Sequence, residues 1–121
     1  MDRDAVAAQV GEANADAAIE WGFARAKQGA ANLLACDNEK VTFKVWTQPG
    51  TAMILVTSAN DSPTTLTVQA DLAALGVDVP KLWASFAQCL GGTLNVPAKT
   101  ITLPNFPANT ASLVFIDTFG E

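Results

Sequence analysis

A chain of 121 residues is the size of one domain; half of it is apolar and 16% is charged, a composition that excludes disorder and a second independent core. Seven Lys and Arg against 12 Asp and Glu give a formal charge of −5. The cations are scattered apart from Arg25 and Lys27, so the concentrated basic face that nucleic acid or an anionic membrane requires is missing.

Met1-Asp-Arg-Asp4 is acidic and Ala5 to Val10 is too short for the apolar core of a secretory signal. The apolar run Met53 to Val56 is far below membrane-spanning length, so the chain reads as soluble, with no compartment indicated. Cys36 and Cys89 could close one disulfide at most and stand in no metal-ligand spacing; buried free thiols are the expectation, with no metal or other cofactor.

Residues 4–18 are Ala-rich, with Val6, Val10, Ala13 and Ala17 three and four apart, which predicts a helix capped by Asp2 or Asp4. Its apolar stripe is narrow, so it must lean on something larger. Residues 19–34 fit a strand at Ile19, Trp21 and Phe23 but a helix from Phe23 to Leu34, and a second helix is assigned there. Cys36 to Lys40 reads as a turn.

After Lys40 the apolar period changes from 3.6 to 2. Val41 to Trp46 alternates, Gln48-Pro-Gly50 forms a hairpin turn, and Thr51 to Ala59 is apolar enough to be a central strand covered on both faces. Asn60 to Pro63 turns the chain into a strand at 65–70, and Asp71 to Gly76 predicts one capped helical turn. Further strands are expected at 82–87, 93–96, 100–103 and 112–116, with Gly91-Gly92 and Pro104 to Asn109 as loops. The fold class is therefore mainly β: an antiparallel two-sheet sandwich of about seven strands with one or two N-terminal α-helices. Residues 1–35 are expected to pack as a helical segment on a sandwich domain of 36–121, with one core overall.

Five pieces of the β region, in order, resemble the C-terminal β-sandwich appended to the catalytic barrel of some glycoside hydrolases. They are Val41-Thr-Phe-Lys-Val-Trp-Thr-Gln-Pro-Gly50, Ala52-Met-Ile-Leu-Val-Thr-Ser-Ala-Asn60, Leu66-Thr-Val-Gln-Ala-Asp-Leu-Ala-Ala-Leu-Gly76, Ile101-Thr-Leu-Pro104 and Ala111-Ser-Leu-Val-Phe-Ile116. Ile19-Glu-Trp-Gly-Phe23 is similar to the chain leaving the last barrel helix of those enzymes. The barrel and its carboxylates are not in these residues, so the resemblance transfers no catalytic residue. It implies a domain that packs against a catalytic partner and borders a sugar site.

Glycoside hydrolysis needs two carboxylates about 5 Å or ~6.5–9.5 Å apart. Asp37 and Glu39 fall in a turn, Asp71 caps a helical turn, Asp61 and Asp78 suit loops, and Asp117 ends a strand. Without His, neither Ser nor Cys has the usual base, and no Lys stands in a signature spacing to a Ser. Gly91-Gly92 lacks the Gly-Lys context of a phosphate loop. Trp46 and Trp83 are the candidate binding residues, because strict alternation turns both away from the main core. They serve either as sugar platforms or as cover for the junction with the N-terminal helix or a partner domain. Trp21 is expected to anchor the N-terminal segment.

These readings combine into a non-catalytic accessory domain whose partner is a catalytic barrel domain. The alternatives are a small structural protein assembled as a homo-oligomer, and an independent carbohydrate-binding module.

Overall fold

The computed structural model describes residues 2–77, 82–86 and 92–118. Among them lie two helices, α1 (Arg3–Val10) and α2 (Ala15–Trp21), and nine strands: β1 (Lys27–Gln28), β2 (Leu34–Cys36), β3 (Val41–Gln48), β4 (Thr51–Ser58), β5 (Thr64–Ala70), β6 (Leu82–Phe86), β7 (Thr93–Asn95), β8 (Thr100–Phe106) and β9 (Thr110–Thr118). Every pairing is antiparallel, giving a five-stranded sheet β1-β3-β4-β9-β6 and a four-stranded sheet β2-β5-β8-β7.

All seven expected strands are present, and two more are added: β1, inside the segment 19–34 assigned to a second helix, and β2, which begins at the last residue of that segment and ends at Cys36, where a turn was expected. The α-helix ends at Gly22, whose φ of 108° makes it a left-handed cap; 3₁₀ turns at Phe23–Arg25 and Ala31–Leu33 follow, and residues 27–28 and 34–36 pair in different sheets. Residues 1–35 thus contribute a strand, or most of one, to each sheet. The first helix is also divided: Gly11, at φ 92° and ψ 151°, separates α1 from a 3₁₀ turn at Glu12–Asn14 that runs into α2. Asp2 is the cap, accepting from the Asp4 amide.

Two buried clusters flank the five-stranded sheet. On β4, Ala52, Ile54 and Val56 join Leu66, Val68, Ile101 and Leu103 of the other sheet in one cluster. The intervening Met53 and Leu55 face Val6, Val10, Ala15 and Ala18 of the helices in the second. This double cover explains why β4 lacks the polar alternation of β5, whose outward Thr65, Thr67 and Gln69 are exposed. Asn14 ties the helical layer to the sheet: its buried amide donates to Val10 O at 2.9 Å and to Ala111 O at 3.1 Å. Arg3 clasps the helices to each other through Glu12 and Asp16. The Arg3 hydrogen bond and charge hold the Asp16 carboxyl below its ordinary value of 3.8, so this contribution is present above that pH and disappears as pH falls through the lowered value.

Half of the expected loop 104–109 is strand, β8 running on to Phe106. Thr64 pairs with Phe106 but Leu66 with Leu103, so β8 carries one extra residue. Asn105 takes up the bulge with φ 51°, its amide donating to Thr65 Oγ1 at 3.3 Å. The bulge restores Phe106 to the buried face shared by Ile101 and Leu103. Expected turns are present at Gln48–Thr51, where Gly50 has φ 78°, and at Asp71–Gly76, where Asp71 Oδ1 accepts from Ala74 N.

Candidate functional site

Trp46 and Trp83 both lie on the face of the five-stranded sheet that the helices cover, as alternation predicted, yet their surroundings differ. In β3, Trp46 pairs with Met53 and is 4% exposed, enclosed by the N-terminal layer with its ring 5.3 Å from that of Phe23. A ring so enclosed offers no face to a ligand. Trp83 lies in β6, the terminal strand of the sheet, and is 44% exposed.

Sheet register builds a surface around Trp83. Gln48, Thr51, Asp117 and Trp83 occupy one row across β3, β4, β9 and β6, and Met53, Phe115 and Ser85 occupy part of the next. Trp21, the last residue of α2, reaches onto this surface: its indole Nε1 donates to Thr51 Oγ1 at 2.9 Å, and its ring centroid lies 6.3 Å from that of Phe115. Thr51 Oγ1 in turn donates to Ile116 O at 3.0 Å. Gln48 Nε2 donates to Trp21 O at 2.9 Å, closing the helix end onto the hairpin. Trp21 is thereby the anchor expected of it.

The apolar cover supplied by the helices thus ends near Trp21 and Phe115. Beyond it the row continues through half-buried Asp117 to Trp83, whose ring has no aromatic partner among the described residues. Trp83 and Asp117 are direct cross-strand partners, a placement that sets their Cβ atoms ~4.5–5.5 Å apart. The surface can offer an aromatic face beside a hydrogen-bond acceptor.

The remaining sequence candidates are dispersed. Asp37 and Glu39 are exposed in the β2–β3 turn, Asp61 is exposed after β4, and Asp78 lies outside the described residues, as do Cys89 and Gly91. Cys36 has a free thiol in β2. Among the described residues no three His, Cys, Asp or Glu gather as a metal site, and no helix is long and apolar enough to cross a membrane. Sequence reasoning missed Phe115 and Asp117 as neighbours of Trp83. Their odd-numbered alternation along β9 was a usable signal, but the pairing of β9 with β6 was not. Comparison with family models, curated proteins and solved structures finds no match to this chain.

Proposed function

We propose that the chain is a non-catalytic accessory domain, a two-sheet β-sandwich of the kind appended to glycoside hydrolases, and that the surface around Trp83 packs against a partner domain. The observation that carries this reading is the 44% exposure of Trp83 on the sheet face that the chain's own helices cover in part. A large aromatic at the edge of an apolar layer extends that layer to a second body. The shared cluster of inward residues from both sheets supports the sandwich. Asp117 and Ser85 give the docking surface a polar border suited to a sugar cleft at the junction.

Sedimentation of the isolated chain and its Trp83→Ser variant tests the reading. The expected result is a 12.6 kDa monomer in both cases, with little change in melting temperature because the ring is largely outside the core. A dimer abolished by Trp83→Ser would assign the surface to self-assembly instead. A saturable tryptophan fluorescence shift with neutral oligosaccharides, absent from the variant, would assign it to an independent carbohydrate-binding module.

A further inference from the structure

The cations of this acidic chain are committed to different degrees. Arg3 is engaged by two carboxylates, whereas the side chains of Arg25 and Lys27 make no ion pair or hydrogen bond among the described residues. Arg25 closes a 3₁₀ turn and Lys27 opens β1, and both are exposed. Lys27 pairs with Thr47, which shares the face of Val45, so Lys27 stands on the core side of the sheet near its end. Both cations line a depression of about 370 Å³ bounded by the β3–β4 hairpin and the Asp71–Gly76 turn. The other lining is largely uncharged and includes Pro49, Ala74 and Leu75.

We propose that this depression binds an amphiphilic anion, a carboxylate or phosphate monoester with a short apolar body. The head sits between Arg25 and Lys27, and the body rests on the exposed Pro49 and Ala74. An anion in the recess is attracted to both positive charges that line it. The guanidinium supplies a planar donor fork suited to carboxylate or phosphate oxygens, and the ammonium adds a point charge. Exposed ion pairs are weak, each contributing about two- to fivefold in affinity, so the apolar contact must supply the rest. Lys27 alone could be explained as an inward charge that protects a sheet edge from pairing. That role does not account for Arg25 and the apolar recess beside it. The depression shares Gln48, at the far end of the row from Trp83, but neither of its cations lies on the Trp83 surface, and the proposal stands independently of the accessory-domain reading.

Amide NMR titration of the full chain tests the proposal with hexanoate, hexyl phosphate, inorganic phosphate and hexanol as probes. At ~0.01 M salt, where screening extends ~30 Å, hexanoate or hexyl phosphate is expected to shift the Arg25, Lys27, Gly50 and Gly76 amides saturably. Comparison of those two probes identifies the preferred head. The double variant Arg25→Gln, Lys27→Gln should weaken binding about tenfold, and ~1 M salt should have a similar effect. Unchanged shifts in the rest of the variant's spectrum establish that it is folded. Hexanol binding as tightly as hexanoate would remove the role of charge, and inorganic phosphate binding as tightly as hexyl phosphate would remove that of the apolar wall. Either result overturns the proposal, as would unchanged binding by the double variant or no saturable shift with either amphiphilic anion.

Discussion

Asn14 shows how one buried side chain can determine where a helix sits. Its Nδ2 serves carbonyls from two elements, Val10 at the end of α1 and Ala111 in β9, while Oδ1 is buried without a partner among the described residues. Exchanging the amide's N and O would forfeit both bonds, so the orientation is determined by the two carbonyls. Asn14→Asp replaces the donor with a carboxylate facing two carbonyl oxygens in a buried site. The expected cost at pH 7 is about 3 kcal/mol or more, from the lost hydrogen bonds and the buried charge. Burial and the adjacent carbonyls raise the folded-state pKa of the introduced carboxyl, so the cost shrinks below the unfolded value of ~3.9 and grows as pH rises through the raised value. Urea unfolding of the variant and the parent at pH 3.5 and pH 7 measures this difference. Equal destabilisation at the two pH values would contradict the assigned donor role.

At the scale of elements, β4 joins the two buried clusters. Met53 and Ile54 are adjacent, 0% and 1% exposed, and face opposite sides of the sheet. Met53→Ala and Ile54→Ala should therefore each cost about 2–5 kcal/mol in urea unfolding. A negligible cost for Met53→Ala alone would mean that the helices do not pack on the sheet. Much of this arrangement was legible in the residues: Val41 to Trp46 and Thr65 to Ala70 alternate visibly, and the Pro-Gly turn between β3 and β4 is a local signal. β1 and β2 were not legible, because two and three residues are too few to display a period. Their strand character comes from pairing with Thr47 and Trp46 in one case and with Val68 to Ala70 in the other. Pro104-Asn105 looked like a loop because a bulge uses the same residues as a turn, and only the return of Phe106 to the buried face distinguishes them. The single helix over 4–18 divides because Gly11 adopts a positive φ at the junction.

At the scale of the whole molecule, the helices, the five-stranded sheet and the core shared with the four-stranded sheet form successive layers, and Trp83 marks where the helical cover ends. Alternation turns both Trp46 and Trp83 away from the main core. It could not distinguish the covered ring from the exposed one, because that depends on where α1, α2 and Phe23 cross the sheet. The surrounding Trp21, Phe115 and Asp117 likewise come from distant chain segments and meet through register and one indole hydrogen bond. The central claim is that this surface belongs to a domain working beside another. The most direct measurement is the mass of the polypeptide that carries this segment in its source, determined by denaturing gel and a blot with an antibody raised against the segment. The account predicts a band several-fold above 12.6 kDa. A band at 12.6 kDa would contradict it, leaving the Trp83 surface to a second copy of the chain or to a sugar.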